Sequence, residues 1–471
     1  MVVDNKIKTK SEGKIRILLW LICCFTAQIT SAQPNSEKES QIVDAFYKEA
    51  LKHAAKDTNL YYLSKEIGHR MTGSAAAEKA AFWIKQQLEN LHADKVYFQP
   101  VIVPHWIRGG KDEAYLQLPN RSPIQLDILA LSPSVATDGI LSASVIEVTS
   151  WEALHQLNKE EVTGKIIFFN RSMDTKILHT FDAYLAIADQ RYLGAVEAAK
   201  KGAAAILIRS LTLSQDDYPH TGAMLYKEGI KKIPAAALSL NSADRLSSAL
   251  KTNPQLKVQL QTNGQILPNI QSNNVIAELK GSDFPEEVLS IGAHIDSWDV
   301  GEGASDDGTG IVQAIEALRL FKMLGIQPRR TIQFVFYMNE EAGAHGGIEY
   351  AKLAQKSNNH YLAAIESDAG GFLPVGFRAD GQPQSLQKLQ KYLKALSPYG
   401  MADLQTNQRG VDIAPMKDIA TLLLSLNCDD HRLFDVHHSA KDTFEKLNRR
   451  EVALGAAAMA ALAYIINQNG L

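Results

Sequence analysis

A chain of 471 residues with 45% hydrophobic content can bury sizeable cores, and its length suggests two to three domains. The net charge of −3 and the lack of a basic stripe argue against a nucleic-acid partner, and no long acidic tail is present. The composition is that of an ordinary soluble globular protein, with no segment demanding stable membrane association once the N-terminus is accounted for.

The first residues read as a targeting signal. Lys6, Lys8, Lys10, Lys14 and Arg16 form a basic start, Ile17 to Phe25 is apolar, and Thr30-Ser31-Ala32 offers small residues before Gln33. That order predicts a signal peptide over 1–32 and a secreted or otherwise extracytoplasmic protein, since the apolar run is short for a spanning helix. Of the three cysteines, Cys23 and Cys24 lie in this segment, so the mature chain keeps only Cys428 and no internal disulfide.

Further along, residues 39–57 carry helical apolar spacing through Ile42, Val43, Phe46 and Leu51, and a second helix is expected over 75–91. The Gly- and Ser-bearing loop IGHRMTGS, 67–74, separates them, and KVYFQPVIV, 95–103, reads as a strand. From 112 to 268 short β runs dominate (AYLQL, SVIEV, KIIFF, AAILI, KVQLQ), with one helix near 194–201. This region is expected to be an inserted, mostly β domain. It divides a catalytic domain formed by 33–111 and 269–471.

From residue 274 strands alternate with helices. VIAEL, VLSIGAHI, TIQFVFYM and LAAIESD are strands, and 310–324, 348–354 and 451–466 are helices. The alternation predicts an α/β fold with a mostly parallel sheet covered by helices on both faces.

Polar residues gather where these strands end, the edge at which open α/β sheets bind ligands. His294 and Asp296 end one strand, Glu340 and Glu341 another, and Asp368 a third. Asp306 and Asp307 sit in the loop GEGASDDGTG, and His437 and His438 in DVHHSAKD. Singly, each has a plain reading: a surface histidine, a turn with an N-cap, a solvated loop. Their recurrence at successive strand ends points instead to a metal site. Imidazoles and carboxylates are the ligands of open catalytic zinc sites, and one carboxylate can bridge two ions.

The motifs HIDSWDVGEGASDDGTG (294–310), YMNEEAG (337–343), IESDAGG (365–371) and VHHS (436–439) resemble metallopeptidase family 28, whose members are co-catalytic zinc exopeptidases. The resemblance implies two Zn2+ per chain. His294 and Asp368 would hold one ion and Glu341 and His438 the other, with Asp306 bridging them. Glu340 would be the general base, Asp296 would orient the ligand histidine, and His437 stands where some relatives place an oxyanion donor. The Asp306–Asp307 peptide is expected to be cis, and the inserted region to resemble a protease-associated domain. Short peptides are the implied substrates and a homodimer the implied assembly. Two other functions share the fold: a one-zinc glutaminyl cyclase, and a receptor-like binding protein without catalysis. The full ligand set and Glu340 argue against both.

Overall fold

The computed structural model describes residues 33–54 and 58–471. The expected signal segment, 1–32, lies outside the described residues.

One eight-stranded sheet runs in the order Lys95–Ile107, Gln265–Leu279, Arg330–Tyr337, Phe284–His294, His360–Glu366, Ala420–Cys428, Pro374–Gly381, Asp403–Thr406. Its four central strands, from Arg330–Tyr337 to Ala420–Cys428, are mutually parallel. The pairings of Gln265–Leu279 with its neighbours and of Pro374–Gly381 with Ala420–Cys428 are antiparallel.

The strand RTIQFVFY explains why the sheet sits inside. Every residue of Arg330–Tyr337 is buried. Phe334 and Phe336 pack into one core, while Val335 and Tyr337 pack into another across the sheet. Successive side chains of a strand point to opposite faces, so an unbroken apolar run is stable only when both faces are covered. On one side Arg449–Asn469 packs against Gln33–Ala54 and Thr309–Met323. On the other, His345–Lys356 lies against Lys95–Ile107 and Tyr350 joins Tyr337 and Tyr361 edge-on. The C-terminal helix is long and apolar enough to cross a bilayer, but 83% of its most apolar stretch is buried within the fold. Its composition is that of a core helix.

The second sheet also has eight strands, drawn from residues 113 to 261. Its centre, Leu141–Val148, Ile166–Phe169, Ala205–Arg209 and Ala235–Leu238, is parallel. Here the sequence expectation needs correcting. Five helices accompany the strands: Trp151–Gln156, Lys159–Val162, Thr180–Leu185, Asp189–Lys200 and Leu240–Thr252. The region is α/β rather than mostly β. Parallel neighbours require crossovers, and helices supply those from Leu141–Val148 to Ile166–Phe169 and from Ile166–Phe169 to Ala205–Arg209. Three of the five have six residues or fewer, too short to show a helical period in sequence.

Candidate metal centre

The four central parallel strands deliver the site. His294 is the last residue of Phe284–His294, and Glu340 and Glu341 follow Arg330–Tyr337. Asp368 follows His360–Glu366, and His437 and His438 follow Ala420–Cys428 and the turn Asp430–Leu433. Strands that are parallel and adjacent end at one edge, so these residues meet. Asp306 comes from a tight turn, Ala304–Gly308, that feeds the helix Thr309–Met323. The Asp306–Asp307 peptide is cis, as expected.

Asp306 stands in the middle. Its Oδ1 lies 3.2 Å from His294 Nε2, which is also 3.3 Å from Asp368 Oδ1. Its Oδ2 lies 3.3 Å from His438 Nε2, which is 3.2 Å from Glu341 Oε2. Each oxygen of one carboxylate therefore faces its own imidazole and its own second carboxylate. His294 is fully buried, and Asp306, Glu341 and His438 are each under a tenth exposed.

Both imidazoles are oriented from behind. His438 Nδ1 lies 3.3 Å from the carbonyl of Thr221, in the second-sheet region. The His438 carbonyl in turn accepts from Thr221 N at 2.9 Å. His294 Nδ1 lies 3.0 Å from the backbone carbonyl of Asp296. A carbonyl can only accept, so Nδ1–H must donate in each case, which turns the Nε2 lone pair into the site. Asp296 contributes in a further way. Its carboxylate is 3.7 Å from His294 Nδ1, and its Oδ1 accepts from Asn339 N at 2.8 Å and Glu340 N at 3.1 Å. Thr72 Oγ1 donates to its Oδ2 at 2.6 Å. Asp296 thus ties the His294 strand end to the backbone that carries Glu340.

Three residues without an assigned role in the sequence hold the Asp306 turn. Asp442 accepts from Ser305 N at 2.6 Å and Asp306 N at 3.2 Å. Asp307 accepts from His294 N and Gly310 N. Arg70, fully buried, donates to the carbonyls of Ile295, Gly68, Glu302 and Gly303. Gly303 has φ +56°, and a Cβ there would fall 2.4 Å from Ser297 Oγ and 3.0 Å from Arg70 Nη2, so this turn needs glycine.

The electrostatics are those of crowded carboxylates. Burial raises the Glu341 carboxyl to about 7, with the Asp306 charge adding to the rise. Burial, then the Asp368 charge, pushes Glu340 well above its usual range. Burial lowers His438, but Glu341 and Asp306 more than reverse this and set it at about 9. His437 stacks on His438 with centroids 3.5 Å apart. Burial and the His438 charge hold it well below its usual value, as a neutral ring.

This donor set fits zinc. His294, Asp306 and Asp368 offer ligand atoms all within 4.8 Å of one another, as do Asp306, His437 and His438. Glu341 Oε1 is buried with no hydrogen-bond partner. Buried carboxylates at this spacing are stable only with positive charge among them. The centre opens into a cavity of about 350 Å³ lined by Glu340, Glu341, Asp368 and His437 on one side. Phe181, Tyr184 and Met224 of the second-sheet region line the other.

The α/β sheet, the strand-end constellation and the relatives below define a metallo-exopeptidase. The model of peptidase family M28 matches residues 274–463. Carboxypeptidase Q of Homo sapiens is 34% identical over 409 residues, 86% of this chain and 84% of that protein. The Xenopus laevis carboxypeptidase Q is 36% identical over 402 residues, 85% of this chain and 83% of that protein. The crystal structure of a peptidase M28 precursor from Shewanella amazonensis SB2B superposes with a TM-score of 0.85 at 32% identity, over 92% of this chain and 98% of that one. The chain belongs to peptidase family M28.

Proposed function

We propose that this protein is a two-zinc exopeptidase that hydrolyses the peptide bond of dipeptides and very short peptides. The observation that carries the reading is the placement of Asp306, whose two oxygens each face a separate imidazole–carboxylate pair. His294, Asp368 and Asp306 Oδ1 would hold one ion, and His438, Glu341 and Asp306 Oδ2 the other. When bound, zinc lowers the proton affinity of water and polarises the scissile carbonyl.

The chain's own groups do the rest. Glu340, a carboxyl raised by burial and facing the cavity, accepts the proton of the attacking water and passes it to the leaving amine. His437, held as a neutral ring beside Asp306 at 3.8 Å, donates toward the developing oxyanion. Asp296 fixes the Glu340 backbone, and Asp442 with Arg70 fixes the Asp306 turn.

Residues 112–268 act in this reading as an inserted, protease-associated-like domain that limits substrate size. Support comes from the cavity, which that region closes on one side and which is at the small end of ligand sites. An extracytoplasmic location is supported by the basic and apolar start of the sequence, and a homodimer by the family resemblance.

The test compares kcat/KM for dipeptides with that for peptides of about ten residues. Dipeptides should be favoured by about tenfold or more, an estimate in keeping with a site that encloses most of a small ligand. Equal cleavage of the longer peptides, or internal cuts in an unfolded protein, would show an open groove.

A further inference from the structure

We infer that Thr212 and Lys441 position the imidazole of His438, so that the affinity of one zinc position, and not of the other, is set by the second-sheet region. The inference rests on the two-zinc reading above and adds to it residues that touch neither metal nor substrate.

The two imidazoles are held from different parts of the chain. The contacts that orient His294 come from the first-sheet region: its Nδ1 faces the Asp296 carbonyl at 3.0 Å, and its backbone N–H donates to Asp307 Oδ2 at 3.1 Å. Asp296 is held in turn by Thr72, Asn339 and Glu340. For His438, the only hydrogen-bond partner of Nδ1 among the described residues is the Thr221 carbonyl at 3.3 Å, in the second-sheet region. Thr221 grips the residue twice, since its N–H donates to the His438 carbonyl at 2.9 Å.

That grip matters because His438 stands at φ +58°, a left-handed conformation that a residue with a Cβ keeps only when its surroundings enforce it. The ring is flanked by His437, with centroids 3.5 Å apart, and by Trp298 at 5.4 Å. Such packing sets the plane of the ring, while the bond from Nδ1–H sets its tautomer and the direction of Nε2.

Thr221 can act only while its loop is seated on the turn that carries His438. Phe434 O accepts from Thr212 Oγ1 at 2.6 Å in a buried bond. Lys441 Nζ donates to Ser214 Oγ at 2.9 Å and Asp216 Oδ2 at 2.7 Å. Phe434 and Lys441 stand three residues to either side of the His437–His438 pair. Thr212, Ser214, Asp216 and Thr221 all belong to one loop, between Ala205–Arg209 and Ala235–Leu238. Thr212 Oγ1 also accepts from Ser214 N at 3.0 Å, which ties the two anchors together. One loop thus carries both the anchors and the peptide that aims the imidazole. Loosening the anchors frees the Thr221 peptide to shift, and His438 loses the partner that directs Nε2. His294 keeps all of its own.

The experiment titrates zinc-free full-length protein with Zn2+ against a chromophoric chelator, in two backgrounds that each leave one position. Asp368→Ala keeps the position of His438 and Glu341, and His438→Ala keeps that of His294 and Asp368. In the first background Thr212→Val should weaken zinc binding by about tenfold or more, the scale for losing a partner behind a metal-ligating imidazole. In the second it should change the affinity by less than about twofold, as for an independent site. Thr212→Ser, which restores the hydroxyl, should bind zinc as tightly as the Thr212 protein in both. If the valine variant does not fold, Lys441→Met makes the same comparison through the other anchor. Equal weakening in both backgrounds would mean a general loosening of the fold and overturn the assignment, as would no weakening in either. Wild-type protein that takes up no more than one ion in the same titration would instead sink the two-zinc reading.

Discussion

Glu340→Gln should keep its zinc and lose about 10³-fold in kcat, within the usual range for removal of a general acid–base group. Glu340 lies on the cavity wall with a raised carboxyl, next in sequence to Glu341 but outside the contacts that join Glu341, His438 and Asp306. Its backbone is fixed by Asp296 Oδ1 at 3.1 Å, and a Gln side chain of the same shape leaves that bond intact. The substitution therefore removes a proton acceptor and little else. Steady-state hydrolysis of a dipeptide, paired with metal analysis of the same sample, makes the check. A near-normal kcat would mean that Glu340 and Glu341 have been assigned each other's work.

Asp306→Ala should abolish measurable activity and deplete both metal positions. Each oxygen of Asp306 faces a different histidine, so one truncation strips a ligand from both sets. The loss in zinc affinity should exceed the roughly 10–100-fold that follows when only an outer partner of a ligand is removed. The turn itself should survive, because Asp442 holds the backbone amides of Ser305 and Asp306 and Arg70 holds Gly303 O. Circular dichroism should show native secondary structure alongside the missing metal. A variant that retains one zinc at wild-type affinity would contradict the bridging role.

How far the sequence could be read depended on where each signal resides. Arg330–Tyr337 and Phe284–His294 announce themselves because strands buried on both faces are written as continuous apolar runs. The carboxylates and imidazoles just past those runs were legible for the same reason. The partners that hold them were not. Asp442 is 136 residues from Asp306 along the chain, and nothing in the local pattern of SAKD says which backbone amides it will meet. Thr72 and Arg70 lie in a loop whose Gly and Ser mark a turn, while their roles depend on Asp296 and Ile295 more than 200 residues away. Arg191 sits on a mid-chain helix with the ordinary look of a solvated residue. It is buried against Tyr184 and Gly222, an approach that the local pattern does not show. The short helices between 151 and 185 were hidden among the β runs because one or two turns carry no period.

The central claim, two zinc ions joined by Asp306 in a hydrolytic site, is tested most directly by counting metal. Native mass spectrometry on the purified, fully active enzyme should show two zinc ions per chain, and a chelator should remove them together with activity. A fully active sample that never holds more than one ion per chain would contradict the account.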